Sequence, residues 1–507
     1  MLNAASSTFH IGQQRTMSSY AGRVWAFRNV DEWALLWAVF LGSLVLSLVA
    51  SLCNPIVARD AALYLDIAGG YQRDGFAEAL KRFDWPWFPI AFAELHQLTG
   101  IASELIARVL CELFTAIACV LCVDIVRRTR PDLAGWAALA VFAIPAFNIY
   151  RGDILRENGF WCFSMLAIWA MQCWMLYRRW CCLGLGVLAV ALAALFRLEA
   201  VYLLAVMPVC CILSVKGGAL KRTLMVALSI SLVVAVSALL LWAKAQNYLP
   251  SGRFSNYVGR LDVSRVLGHF SAFAEQLAQL MPFEYARDDS AKILFAGFAA
   301  YMLLKLLNAV GVLVVPWLFG MRRSERESPW LVLDIALVGY CLILFVFLID
   351  HLFISLRYVV FGGFLCIPRI AQGLQIMVQR WPRMKMGAVV LLVVMALAHV
   401  ISTSAPKTQI RQAGIWIGAN LPRDAKLYIE DNRLAYFAGW GYGTESRERD
   451  QALALTGPDA YEFFALDLKG KPEKAEAELA KQGLVPVVQF KNREGDTYAI
   501  LRRVRQP

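Results

Sequence analysis

The sequence predicts a polytopic α-helical membrane protein with a small α/β domain at its C-terminal end. Three observations predict it. Of 507 residues, 59% are hydrophobic and only 17% charged, whereas soluble chains run nearer half apolar and a quarter charged. The mean hydropathy is +0.54, and the apolar residues gather into runs near the roughly 20 residues a helix needs to cross about 30 Å of hydrocarbon. The last hundred residues then change to polar helices alternating with short apolar strands. Every cysteine but Cys53 lies inside an apolar run or beside a basic cluster, and no pair of C-x-x-C motifs occurs. His10, His96, His269, His351 and His399 form no ligand pair at helical spacing. Soluble enzyme, secreted disulfide domain and zinc protein are excluded.

Taken in order, the spans fall at 33–52, 102–126, 134–150, 159–177, 183–196, 199–215, 223–243, 300–320, 330–349, 359–377 and 386–404, eleven in all. The first is too long and too far from the N-terminus for a cleaved signal peptide. Basic residues cluster at Arg15/Arg23/Arg28, Arg127/Arg128/Arg130, Arg178/Arg179, Lys216/Lys221/Arg222, Arg322/Arg323/Arg326 and Arg380/Arg383/Lys385. With a cytoplasmic N-terminus all six clusters fall on the inner side, as the positive-inside rule requires. They hold 17 Lys/Arg against five acids, while the opposite loop 53–101 has four against six. The formal charge of +12 thus records topology, and no nucleic-acid partner is expected. The segment 87–98 is short and contains Pro89, Glu94 and His96. It reads as a helix in the outer interface, because a crossing there would break the charge pattern. The chain divides into 1–404, the membrane domain, and 405–507, an outer domain. The latter is expected to hold a polar helix (407–420), a strand (Lys426–Ile429), a charged helix (472–482) and strands near 484–490 and 497–504.

Charges placed where they are costly are the candidate site. Asp60 follows the first span by eight residues, with Tyr64 one turn on. A carboxylate there suits a general base, or a helix N-cap. The loop Tyr150–Gly159 carries Asp153, Arg156 and Glu157 at the same face, as a site or as paired surface charges. Arg197 and Glu199 interrupt an apolar run of about 30 residues, where a charge costs several kcal/mol and usually lines a cavity. A guanidinium donates two hydrogen bonds to a phosphate; an ion pair is the alternative. Arg357 beside Tyr358, and Arg369 deeper in the same span, present the same choice. Arg108 and Glu112 read as a structural i,i+4 pair. The aromatics Phe83, Trp85, Trp87, Phe88 and Phe92 read as an interfacial belt or a groove for a lipid tail or sugar.

Three stretches carry a resemblance: Arg59-Asp60-x-x-x-Tyr64-Leu65-x-x-Ala68, Asp84-Trp85-Pro86 with Thr99-Gly100, and the tail Ala425–Gly439 containing Asp431, Asn432 and Tyr436. Here the chain resembles the GT-C polyprenyl-phosphate-sugar glycosyltransferases, in the bacterial branch related to protein O-mannosyltransferases and lipid A aminoarabinose transferases. The resemblance implies an inverting transfer of a sugar from a polyprenyl-phosphate donor to a glycan, lipid or protein acceptor such as a pilin. It places the reaction on the outer face of the bacterial cytoplasmic membrane, with the C-terminal domain outside. Asp60 would be the general base. Arg197 and Arg357 would face the phosphate, and Asp153 or Glu157 the sugar, a second carboxyl or, in some members, a divalent cation. Tyr64, Asp84, Arg156, Glu199 and Tyr358 complete the expected substrate-binding set. Two departures stand out. Many relatives have an adjacent acid pair where Ala61 follows Asp60, and aminoarabinose transferases carry a lysine where this chain has Trp85. The rival readings are a transporter or flippase for lipid-linked sugar and a non-catalytic glycan-binding membrane protein. The first is disfavoured because the break at Arg197–Glu199 has no counterpart in a second half.

Overall fold

The computed structural model describes residues 30–214, 263–322, 330–401, 405–443, 447–468 and 472–504. Among the described residues, six helices are long and apolar enough to cross a membrane: Trp33–Cys53, Ser103–Thr129, Arg156–Tyr177, Ser290–Arg322, Leu331–His351 and Leu356–Arg380. Four shorter apolar helices, Pro131–Ala143, Trp180–Phe196, Leu198–Leu213 and Met384–Ala398, stand at four further expected spans. The expected span 223–243 lies outside the described residues.

In chain order, α1 (Val30–Cys53) leads into α2 (Arg59–Asp74), α3 (Phe76–Arg82) and α4 (Trp87–Thr99), then α5 (Ser103–Thr129). Next come α6 (Ala134–Ala143), α7 (Pro145–Ile149), α8 (Arg156–Tyr177), α9 (Trp180–Phe196) and α10 (Leu203–Ser214). After the undescribed stretch follow α11 (Val263–Leu280), α12 (Glu284–Asp288), α13 (Ser290–Val310), α14 (Val314–Arg322), α15 (Leu331–His351), α16 (Leu356–Arg380) and α17 (Met384–Ala398).

The centre of the bundle is α16 and α8, whose apolar windows are 83% and 72% buried, against 17% for Ser290–Arg322. Their contact is aromatic, with Phe147, Phe160, Trp161, Phe361 and Phe364 nearly inaccessible and packed tilted or edge to face. Glycines let backbones meet where helices cross. A Cβ at Gly320 would strike the Arg369 carbonyl, and one at Gly373 the Pro316 carbonyl, so α14 and α16 touch backbone to backbone.

The structure changes several sequence expectations. The span 134–150 is broken, because Pro145 lacks an N–H and starts a new helix after Ile144. The span 199–215 opens with a 3-10 turn at Leu198–Tyr202. The helix behind 300–320 begins at Ser290. α4 is 13 residues long, about 20 Å at 1.5 Å per residue and short of a crossing. The aromatics around it are less a belt than a core: Phe88 and Phe92 are fully buried and Trp85 nearly so. Tyr64, Phe88, Phe92, Phe114 and Phe196 form one aromatic chain, edge to face except for the tilted Phe88–Phe196 contact, joining α2, α4, α5 and α9.

The C-terminal unit is a four-stranded sheet of β1 (Leu427–Ile429), β2 (Phe463–Leu468), β3 (Leu484–Lys491) and β4 (Thr497–Arg503), in the order β1-β2-β4-β3. β1 runs parallel to β2, and the other pairs are antiparallel. Strand alternation gives each face its own core. Phe464, Leu466 and Leu468 pack with Leu479 on one side; Ala465, Tyr498 and Ile500 pack under Ile410, Ala413 and Ile417 of α18 (Thr408–Asn420) on the other. The charged helix appears as α21 (Pro472–Lys481), following α19 (Arg433–Phe437) and α20 (Arg449–Ala454).

Candidate active site

Three helices begin at one place. Asp60 lies in the first turn of α2, Arg156 and Glu157 in the first turn of α8, and Arg357 in the first turn of α16. A helix N-terminus carries partial positive charge, so the two carboxylates are favoured there and Arg357 is not. The structure compensates Arg357 with both carboxylates: its guanidinium pairs with Asp60 Oδ2 and lies 3.6 Å from Glu157. The chain of charge continues inward. Arg197, at the C-terminal cap of α9, bonds Glu157 at 2.8 Å and Glu199 at 2.7 Å, with the Tyr358 ring 4.3 Å away beneath its guanidinium. Gly159 makes this close approach feasible, because a Cβ there would collide with the ring of Phe196, the residue before Arg197.

The carboxylate that opens to solvent is Asp60, whose side chain is 32% exposed, against 2% for Glu157 and 7% for Glu199. Its Oδ2 is taken by Arg357, and Oδ1 accepts no hydrogen bond among the described residues. Tyr64 is buried one turn below, edge-on to Phe83 at 6.0 Å. Burial pushes its hydroxyl well above the ordinary range, so it stays protonated. Asp153, in the loop before α8, is pushed up to about 6 by burial and then by the charge of Asp60, against the opposing pull of Arg108 and Arg357.

Arg156 differs from the other arginines. It forms no ion pair or hydrogen bond among the described residues, and its Nε is buried without a partner. Its guanidinium sits 5.4 Å from the centre of the Phe83 ring. Asp84, the residue after Phe83, is half-buried. The expected residues Asp60, Asp153, Arg156, Glu157, Arg197, Glu199, Arg357, Tyr358 and Tyr64 are thus neighbours.

For Arg197 and Arg369 the structure shows the ion-pair alternative, and for Arg108 a different partner. Arg197, read as a phosphate ligand or an ion pair, is held between two carboxylates. Arg369 pairs with Asp334 at 2.5 Å, well down α16 from Arg357. Arg108 reaches back to Glu104 at 3.3 Å rather than forward to Glu112, which accepts instead from Ser51 Oγ at 3.1 Å. Among the described residues no group of three His, Cys, Asp or Glu is arranged to hold a metal ion. Asp60 and Glu157 already face arginines, which would repel a divalent cation, so the residues present do not fit one.

Sequence reasoning missed one contact at the mouth of the site. Arg59, the residue before Asp60, bonds Asp431 of the C-terminal unit at 3.1 Å. Burial alone would raise the Asp431 carboxyl, but hydrogen bonds and charge from Arg433, with Arg59 beyond, hold it below the usual carboxylate range. No local signal reports a pair 372 residues apart.

No family model and no curated protein matches this chain. Two solved structures are similar to it: ArnT from Cupriavidus metallidurans in the apo state and the same protein bound to undecaprenyl phosphate. Each is 13% identical and covers 94% of this chain, with 99% and 100% of its own chain covered and a TM-score of 0.41. At that identity and score, function has to be argued from the side chains of the site.

Proposed function

We propose that this protein is an inverting glycosyltransferase that moves a sugar from a polyprenyl-phosphate donor to a cell-envelope acceptor. The site would face the outside of a bacterial cytoplasmic membrane, with residues 1–404 forming the catalytic membrane domain and 405–507 an outer domain. One observation supports this above the rest: a solvent-reachable carboxylate, Asp60, is fixed through one oxygen by Arg357 and accepts no hydrogen bond at the other among the described residues, beside an arginine that makes no ion pair or hydrogen bond among them. The sidedness rests on charge. Arg127, Arg128, Arg178, Arg380 and Arg383 lie at or just past the C-terminal ends of α5, α8 and α16, and Asp60, Glu157 and Arg357 gather where α8 and α16 begin.

In this reading the acceptor hydroxyl or amine attacks the anomeric carbon and gives its proton to Asp60 Oδ1. The bond from that carbon to the phosphate oxygen breaks, and the polyprenyl phosphate leaves with the electron pair. Attack opposite the leaving group inverts the centre. Arg357 orients the base. Arg156, lying over Phe83, faces the leaving phosphate, because Arg197 is already neutralised by Glu157 and Glu199. Arg197 then stiffens the wall that positions Arg357 and Tyr358. Asp153 and Asp84 line the sugar side.

Mass spectrometry of surface glycans and pilins from a deletion strain would name sugar and acceptor. With those in hand, purified Asp60→Asn is expected to lose transfer by about 10²–10⁴-fold while inserting normally. Turnover like that of the wild type would overturn the role of Asp60.

A further inference from the structure

We propose that the C-terminal unit positions the general base: Asp431 and Arg433 clamp the start of the helix that carries Asp60. The proposal rests on the transferase reading for its kinetic part alone. Asp431 Oδ2 accepts from Arg59 Nη2 at 3.1 Å and from Arg433 Nη2 at 2.8 Å, while its Oδ1 accepts from the Arg433 backbone N–H and Nε, both at 3.1 Å. Arg433 Nη1 reaches the Val57 carbonyl at 3.4 Å. The two residues on which α2 is hung, Val57 and Arg59, are therefore both held by one short segment of the C-terminal unit. A second contact lies further along. The chain at Gly441 passes so close to Asp66 that a Cβ there would stand 3.1 Å from its Oδ1, and Tyr436, Phe437 and Tyr442 pack against the membrane core.

The pair is not needed for neutrality, since Asp431 is 5% exposed and already has Arg433. It adds little to stability either, since the Arg59 side chain is 65% exposed and solvent screens an exposed pair. What it does is fix the backbone one residue before Asp60. α2 has no side-chain N-cap, so its first turn depends on such outside contacts. A base displaced by a fraction of an ångström loses rate and not substrate affinity.

The test uses the full-length protein in lipid nanodiscs. Arg59→Gln, Asp431→Asn and the double variant are compared by kinetics and by amide hydrogen exchange of residues 57–66. We expect each single variant to lower kcat about tenfold, with donor KM within about twofold of wild type. The double variant should be no slower than the worse single one, because both break one contact. Exchange in 57–66 should quicken in all three, and Arg59→Lys should stay near wild type. Unchanged exchange in Arg59→Gln, or losses that multiply in the double variant, would overturn the clamp. Arg59 is exposed, so Arg59→Gln keeps the test alive where Asp431→Asn misfolds. The exchange readout needs no turnover, which separates failure of the clamp from failure of the transferase reading.

Discussion

Among the described residues, the buried charge clusters around Asp124 and around Asp60 are built differently. Toward the C-terminal end of α5, Asp124 accepts from Arg127 Nε at 2.9 Å through one oxygen, and from Arg128 Nε at 2.5 Å and Trp169 Nε1 at 2.7 Å through the other. Both carboxylate oxygens are satisfied, and the nearby atom left without a bond is the neutral Gln172 Oε1. At the Asp60 cluster, Arg156 Nε, Glu157 Oε2 and Arg357 Nε are all buried and have no hydrogen-bond partner among the described residues. A buried polar atom without a partner costs about 1–3 kcal/mol, more when charged, so three together on ionised side chains are hard to explain as scaffolding. A closed cluster holds helices together. An open one is set to receive something.

The sharpest way to break that contrast is to remove one charge from each. Arg197→Ala removes the cation bonded to both Glu157 and Glu199, and Asp124→Asn removes the negative charge bonded to both Arg127 and Arg128. Each is expected to destabilise by about 3–5 kcal/mol, the usual result of orphaning a buried partner. The folded fraction should part them. Arg197→Ala loses transfer per folded molecule because Arg357 and Tyr358 lose their support, whereas Asp124→Asn turns over normally. Thermal denaturation in detergent with activity per folded molecule checks both, and equal loss of specific activity would erase the distinction.

Arg156→Ala should behave in the opposite way. Among the described residues its guanidinium makes no ion pair or hydrogen bond to break, only the contact with the Phe83 ring, so stability is expected to hold. A charge-assisted hydrogen bond is worth about 1.5–3 kcal/mol, which corresponds to a rise of roughly 10–100-fold in donor KM. An unchanged donor KM would return the phosphate to Arg357.

The membrane architecture was legible because apolar runs announce themselves, and so was the break at Arg197–Glu199, where a charge interrupts one. α11 was missed because its apolar residues are spaced around an amphipathic helix, with Arg265 and Glu275 among them, and no continuous run forms. β2, Phe463–Leu468, was missed as well; Asp467 interrupts its apolar pattern. Long-range partnership was not legible, although the pair Arg197–Glu199 was one of the readings left open. Composition marked Asp60, Arg197 and Arg357 as costly, but the pair Asp60–Arg357 spans 297 positions and Arg197–Glu157 spans 40. At Arg108, helical spacing allowed acids at both Glu104 and Glu112, and only packing against Gly152 selects the former.

The smallest expected effect concerns Asp153, whose open-cluster setting shows in its titration. Its carboxyl ionises near 3.8 in an unconstrained chain and near 6 here, through burial and the charge of Asp60, with Arg108 and Arg357 opposing. Below about pH 3.8 the folded and unfolded chains both carry the proton, and the stability this group contributes is fully present. As pH rises the unfolded chain ionises first, so that stability is lost progressively until the folded carboxyl follows near pH 6. Asp153→Asn removes the titration. Between pH 4 and pH 6.5 the thermal midpoint of the wild type should therefore fall relative to that of Asp153→Asn, by a few degrees at most. Asp60→Asn should shrink the same difference, because it removes the neighbouring charge and leaves burial alone. Parallel curves in all three proteins would mean that Asp153 does not feel Asp60, and the cluster would be smaller than its geometry implies.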